Sequence, residues 1–310
     1  MRIDLTSYNA RYDSAIAKLE DGIVQGEGIQ LKILKNHFLD RSVVFQNSFP
    51  CVAIAEDDSV VATAVGAQTK MEINGTIIEA GFVLDAKVHL SYRRKGIGMR
   101  LARHQKDWFS KKGYDKNFTT LKLSNAPVIK VSAKAIGNIW LTPFVYLTIP
   151  TSARISSTLQ SPGENHFSVR LFDQEQMPEG FHTNFPSGLG VLHTWMLYRL
   201  KIEKISWLYK QGLKCLRKIS PKQYDLLPKE KDVMEFATLF NHTEQNIDSI
   251  NDVLKHLEAK EKKFLLVCCR KGDSIYKHLK SYSINTYHYY ILTDFALSIK
   301  DELVIDVRCL

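Results

Sequence analysis

The sequence predicts an α/β (α+β) protein, sheet flanked by helices, in two lobes. Three observations predict it. The chain has 310 residues, about twice the ~150 that serve as a soft prior for one domain. Asp85 to Leu101 reads as the end of a strand, a basic turn carrying Gly96 and Gly98, and the start of an amphipathic helix. From about Asp232 onward, the apolar pattern runs helix, helix, strand, helix, strand, strand. The division this gives is a first lobe over 1–150, a linker over 151–165 and a second lobe over 166–310.

Composition narrows the class. Hydrophobic residues make up 45% and charged residues 24%, ordinary values for a chain that buries a core. A net charge of +9 suits anionic ligands. Cys51, Cys215, Cys268, Cys269 and Cys309 include no C-x-x-C pair, so no metal site is expected and the thiols read as buried and reduced in the cytosol or nucleus. Met1-Arg2-Ile3-Asp4-Leu5 has no apolar leader pattern, and no run approaches the ~18 apolar residues of a membrane span. A cytoplasmic or nuclear protein with no membrane partner is the expectation.

In the first lobe, Arg2 to Tyr8 opens as a strand and Ala10 to Asp21 is a helix ended by Gly22. A short helical or loop segment holds Leu31, Ile33 and Leu34. Cys51 to Ala55 and Val60 to Val65 form a hairpin around Asp57-Asp58. Asn74-Gly75 marks a second hairpin, because both residues accept the positive φ of a type I′ turn. It leads into Thr76 to Val88. A helix from Gly96 to Lys112 carries Ile97, Leu101 and Trp108 on one stripe, with His104 at its margin, and stops at Gly113. Strand Phe118 to Leu123, a helix to about Ile136, and strands at Trp140-Leu141 and Phe144 to Ile149 follow.

The turn between strand and helix carries the chemistry. A first helical turn leaves its amides without intrahelical partners and adds the positive end of the helix dipole, so it is a ready anion site. Gly96 and Gly98 allow a sharp turn and close approach, while Arg93, Arg94 and Lys95 add full charge. Arg-x-x-Gly-x-Gly lacks the third glycine of a dinucleotide fingerprint and the Gly-Lys-Ser/Thr of a Walker loop. With its strand before and helix after, it resembles the acetyl-CoA pyrophosphate loop of the GNAT superfamily of N-acetyltransferases, and the order of elements over about 150 residues is similar too. The resemblance implies a mixed central sheet flanked by helices and acetyl-CoA as acyl donor. It implies that the backbone of Ala86, Lys87 and Val88 bonds the pantetheine amides and the acetyl carbonyl. Arg94, Lys95, Gly96, Ile97, Gly98 and Met99 would hold the pyrophosphate, with Arg93 beside them. Asn125 would reach the cofactor arm, or else cap the helix that follows it.

Amine acetylation needs a group to take the proton of the amine and one to protonate the thiolate. The family's usual glutamate falls on Phe82 and its usual tyrosine on Ser132, and neither side chain does that work. Glu79, Asp85 and His89 are the titratable residues nearby; strand alternation turns Glu79 and Asp85 away from the face of Phe82 and Val88, which makes them solvated strand-end carboxylates.

Thr151 to Gln160, with Pro162-Gly163, reads as the linker. Val169 to Phe172 is a strand. Arg199 to Lys218 holds seven basic residues against Glu203 alone: a solvated face, or a dock for an acidic, phosphate-rich or nucleic-acid partner. A helix from Asp232 to about Asn241 precedes one with Ile247, Ile250, Leu254 and Leu257. Strand Phe264 to Cys269, a helix capped by Asp273-Ser274, and strands Tyr287 to Leu292 and Leu303 to Val307 close the chain. This resembles the back half of a GNAT lobe without its loop, hence a second, degenerate lobe. Across most of its length the chain is loosely similar to the plant hookless-type N-acetyltransferases. The expected function is acetyl-CoA-dependent transfer to an amine, peptide or protein acceptor that the sequence leaves open; the alternative is a non-catalytic CoA-binding or scaffold module.

Overall fold

The computed structural model describes residues 2–25, 29–156 and 165–310; most of the expected linker, residues 157–164, lies outside them. In chain order the elements of the first half are β1 (Ile3–Ser7), α1 (Asp13–Asp21), β2 (Ile29–Leu34), β3 (Ser48–Ala55), β4 (Val60–Ile73), β5 (Thr76–Val88), α2 (Ile97–Lys111), β6 (Asn117–Lys122), α3 (Ala126–Ile136) and β7 (Trp140–Pro150). The second half adds β8 (Phe167–Arg170), β9 (His182–Asn184), β10 (Gly190–Leu192), β11 (Arg199–Ile205), α4 (Trp207–Ile219), α5 (Pro221–Leu226), β12 (Val233–Met234) and β13 (Phe236–Phe240). It closes with α6 (Ile250–Ala259), β14 (Phe264–Cys269), α7 (Ser274–Leu279), β15 (Asn285–Thr293) and β16 (Leu303–Asp306).

One mixed sheet runs through both halves in the order β1-β3-β4-β5-β6-β15-β7-β14-β13-β10-β9, with β16 paired to the tip of β4 and to β8. The halves exchange their closing strands. β15, from the second half, lies between β6 and β7, and β7 lies between β15 and β14. Each half keeps a parallel pair that a helix crosses over, β5 with β6 and β13 with β14. A helix that links two parallel strands of one sheet packs back on that sheet. α2 does so through Ile97, Leu101, Gln105 and Phe109, and α6 through Ile250, Val253, Leu254 and Leu257.

Local backbone chemistry sets the hairpins. Asn74 and Gly75 take φ of 50° and 78° and close β4 on β5, with Ile73 facing Thr76. Asp58, at φ 58°, turns β3 into β4. Gly113, at φ 81°, follows the end of α2.

Several expectations are corrected. Ile29–Leu34 is a strand, paired antiparallel with β11 in a separate three-stranded sheet β12-β11-β2. The helix expected over 232–241 is instead β12 and β13; every residue of Phe236–Phe240 is buried, and a fully buried strand shows no alternation by which to tell it from a buried helix. Trp140–Pro150 is one strand, since it pairs continuously with β15 and β14. On α2 the fully buried stripe passes through Gln105 and Phe109, while Trp108 stacks on Phe49 at 5.0 Å and His104 lies half-buried beside the same ring. Cys215 is exposed on α4, whereas the other four cysteines are buried.

Candidate functional site

β5 and β6 run parallel but pair only at Gly81 with Asn117 and Phe82 with Phe118. Beyond those rungs a side-chain bond from Thr119 Oγ1 to the Val83 carbonyl, 2.8 Å, marks the apex. Past it no rung joins the two strands, and the unpaired gap between them has Leu84 to Val88 as its β5 side. The β4 ladder tells which way that wall faces. His89 N–H donates to the Val61 carbonyl at 2.9 Å, and Val88 stands opposite Ala62. Backbone groups alternate sides along an antiparallel pair, so the N–H and C=O of Val88 lie on the edge facing the gap. Lys87, opposite Thr63, turns its own toward β4.

The strand then passes through a single turn of 3-10 helix, Leu90–Tyr92, capped by His89, whose Nδ1 accepts from Ser91 N–H at 3.3 Å. Arg94 at φ 62° and Gly96 at φ 79° are both left-handed, a conformation that gathers neighbouring amides into an anion-binding concavity. Arg100 N–H to the Gly96 carbonyl, 3.1 Å, is the first rung of α2, so the amides of Ile97, Gly98 and Met99 stand ahead of the ladder. Arg93, Arg94 and Lys95 are exposed around this mouth, with Lys95 Nζ 4.8 Å above the Tyr92 ring. Arg93 Nε also donates back to the Val88 carbonyl at 3.3 Å. The Ile97 side chain is buried, so only its backbone faces the mouth. A Cβ on Gly98 would lie 3.6 Å from Val131 of α3 and 3.9 Å from Val88: this glycine sits between β5 and α3. Asn125 holds the N-cap position of α3, half-buried, with no capping bond from its side chain.

The base of β5 is where sequence reasoning fails. The β4–β5 register shifts between Thr63 and Val65, and Asp85 within this bulge takes φ 50°. Its carboxylate is not solvated. It accepts from Lys35 Nζ at 2.9 Å and Arg41 Nη1 at 3.1 Å, and is buried. Glu20 of α1 joins Lys35 at 2.9 Å and also pairs with Lys87. Burial pushes the Asp85 carboxyl up, but Lys35, Arg41 and Lys87 outweigh it and hold the group well below the usual carboxylate range. Burial pulls the Lys87 ammonium down. Arg41 also lies 4.9 Å over the Tyr198 ring and donates to the Leu310 carbonyl at 3.3 Å. Glu20, Lys35 and Arg41 carried no sequence signal, being isolated charges 65, 50 and 44 positions from Asp85.

Of the other titratable residues singled out, Glu79 is at the far end of β5, exposed and bonded by Gln68 Nε2 at 3.1 Å. His89 serves its turn. Phe82 is core, 5.1 Å from Phe118 and 6.1 Å from Phe45 between ring centroids. Ser132 is buried on α3. No cluster of metal-ligating side chains occurs among the described residues.

No protein-family model and no curated protein sequence matches this chain. Solved structures do match in three dimensions. Saccharomyces cerevisiae N-myristoyltransferase with bound myristoyl-CoA and inhibitors aligns over 96% of this chain and 84% of its own, at TM-score 0.58 and 9% identity. The glucosamine N-acetyltransferase region of a fungal multi-domain GH3 β-N-acetylglucosaminidase aligns over 94% of this chain and 38% of its own, at TM-score 0.53 and 12% identity. A GCN5-related N-acetyltransferase from Kribbella flavida aligns over 94% and 70%, at TM-score 0.51 and 9% identity. At such identities the likeness is one of fold, and the fold of this chain is that of the GCN5-related (GNAT) N-acetyltransferases.

Proposed function

We propose that the chain is an N-acyltransferase that binds acetyl-CoA along the β5–β6 gap and passes the acetyl group directly to an amine. The observation that carries this reading is the end of β5–β6 pairing after two rungs, on the side where α2 begins with amides that bond no carbonyl among the described residues and with three cations. A linear ligand with a diphosphate at one end and amides along its length matches that arrangement. The diphosphate meets the amides of Ile97, Gly98 and Met99 with Arg93, Arg94 and Lys95 around them. Pantetheine amides run beside Ala86 to Val88, and Asn125 faces the arm from α3. A yeast protein of the same fold holds myristoyl-CoA, which favours a CoA thioester as donor; acetyl as the acyl group, and the kinship with hookless-type proteins, belong to this proposal.

Transfer rests on positioning. Holding amine and thioester in attack geometry supplies roughly 7–11 kcal/mol of the barrier. The Val88 N–H, on the gap edge, can donate to the thioester oxygen as charge develops there, an oxyanion-hole contribution of roughly 3–4 kcal/mol. Phe82 and Ser132 bring no proton acceptor or donor. The amine therefore has to arrive neutral; as its nitrogen bonds the acyl carbon and the C–S bond breaks, the N–H proton it sheds passes through water to the departing thiolate, which leaves as CoA thiol.

A second reading has its own observation: the same Phe82 and Ser132 favour a module that binds CoA without turning over. Thermal melts with acetyl-CoA test the site, and acetyl product from amines, peptide N-termini and histone tails tests turnover. We expect a rise in melting temperature that Gly98→Leu abolishes, and product formation that Arg93→Ala lowers at least tenfold. A shift without product selects the second reading. No shift at millimolar acetyl-CoA rejects both.

A further inference from the structure

We propose that the outward face of α4 is a docking surface for an anionic lipid bilayer. The three most exposed large apolar side chains among the described residues are Ile219 at 81%, Leu208 at 74% and Trp207 at 68%, and all belong to this one 13-residue helix. α4 rides on the small sheet β12-β11-β2 and is held there by Leu213, with Tyr209 packed beside it. At 3.6 residues per turn, Leu208, Gly212, Cys215 and Ile219 fall on one strip, and each is exposed. The apolar arc of the helix is therefore wider than the surface that seats it, and one side of the arc is left in water.

Charge says what covers it. Lys201 pairs with Glu203 at 2.9 Å and Lys210 with Glu230 at 2.5 Å. Among the described residues, no carboxylate lies within 4.0 Å of Lys204, Lys214, Arg217 or Lys218; Arg217 instead lies 5.7 Å over the Tyr224 ring. An apolar strip beside uncompensated cations complements a surface with an anionic skin and an apolar interior, where lysine and arginine stems lie along the apolar phase and their heads stay at the phosphates. Trp207 at the end of the helix is the residue type that prefers that boundary. A second copy of the chain meets this face with like charges, which opposes a symmetric dimer through it. No helix of the described residues is long and apolar enough to cross a bilayer, so α4 lies on the membrane and does not span it. This adds a surface contact to a chain in which the sequence held no spanning segment, and it does not depend on the acyltransferase reading.

The test is co-sedimentation of the full chain with phosphatidylserine-containing vesicles and with pure phosphatidylcholine vesicles, at low and high salt. The expected result is binding to the anionic vesicles, lost at high salt and weak on neutral ones. Lys214→Glu and Lys218→Glu each lower it by roughly fivefold or more, the weight of one cation near an anionic surface. Leu208→Asp with Ile219→Asp reduces it at least tenfold with an unchanged melting temperature, since both side chains are solvent-exposed. Failure to sediment with anionic vesicles at low salt overturns the proposal, as does equal sedimentation of the Leu208→Asp/Ile219→Asp variant. Self-association that this variant abolishes, without vesicle binding, also overturns it and assigns the strip to a dimer.

Discussion

The Arg41 guanidinium and the Asp85 carboxylate meet at 3.1 Å across 44 positions of chain, and Asp85 does so from a left-handed bulge, φ 50°. Two acids, Glu20 and Asp85, face three bases, Lys35, Arg41 and Lys87, in this buried group. Removing Asp85 leaves one acid for three cations. Asp85→Ala is expected to cost about 3–5 kcal/mol, the range for breaking a buried ion pair from one side. Asp85→Asn keeps the shape and tolerates the left-handed backbone, so it should cost less. Urea midpoints of the two variants check both magnitude and order. The folded pKa of Asp85 is depressed, so its contribution is full above the unfolded carboxylate value and is lost only as pH falls below it.

Gly96 and Gly98 should fail in different ways. Gly96 has φ 79° and open space around its missing Cβ. Gly96→Ala therefore meets backbone strain alone, about 1–2 kcal/mol, seen as a lower melting temperature. Gly98 has ordinary contact distances to Val88 and Val131, so a Cβ is tolerated and a longer side chain extends into the gap. Gly98→Leu should keep its melting temperature and lose the response to acetyl-CoA. Melts of both variants with and without ligand separate the two effects.

What could be read from the sequence was what neighbouring residues enforce on one another. Asn74-Gly75 demands positive φ at two successive positions, and a strand running into Arg-x-x-Gly-x-Gly and an amphipathic helix has few ways to fold. Those features lie where the sequence placed them. The sequence did not reveal pairings made over long separations. Tyr289 pairs with Phe144 and Lys122 across more than a hundred residues, and β15 carries no local mark that it enters the sheet between β6 and β7. Asp85 departs from its expected place for a related reason. Strand alternation assumes a regular register, and the bulge opposite Thr63/Val65 breaks it at that residue. Phe236–Phe240 gives no strand signal because burial on both faces erases the period.

The cysteines give a prediction that needs no ligand. Cys215 is exposed, while Cys51, Cys268, Cys269 and Cys309 are buried. Burial pushes the Cys51 thiol up to about 11 and raises the other three buried thiols as well. Thiolate fraction and access together govern alkylation. Native protein should take up one maleimide per chain, at Cys215, and the unfolded chain all five. Mass spectrometry of Cys215→Ser before and after denaturation checks this; native labelling of the variant counts against burial of the other four thiols.

Two buried histidines should weaken the fold toward acid. His242 is 1% exposed, and its Nε2 donates to the Cys268 carbonyl at 3.0 Å. Its Nδ1 is buried without a partner among the described residues, so a second proton would add an N–H donor with nothing to accept it. Burial accordingly pulls the imidazole down to about 4, with the Cys268 carbonyl opposing only in part. His193 also falls to about 4 through burial, although its Nδ1 donates to the Gly180 carbonyl at 2.6 Å. An unfolded histidine titrates near 6.5. Between that value and about 4 the unfolded chain holds a proton that the native chain refuses, so stability falls as pH drops. For His242 the loss is on the order of 3 kcal/mol once pH lies below both values. His242→Gln keeps an N–H donor for Cys268 and cannot titrate, so urea midpoints measured from neutral pH down to about 4.5 should fall less steeply than in the parent chain. Equal slopes would mean that neither burial nor the idle Nδ1 controls the acid transition.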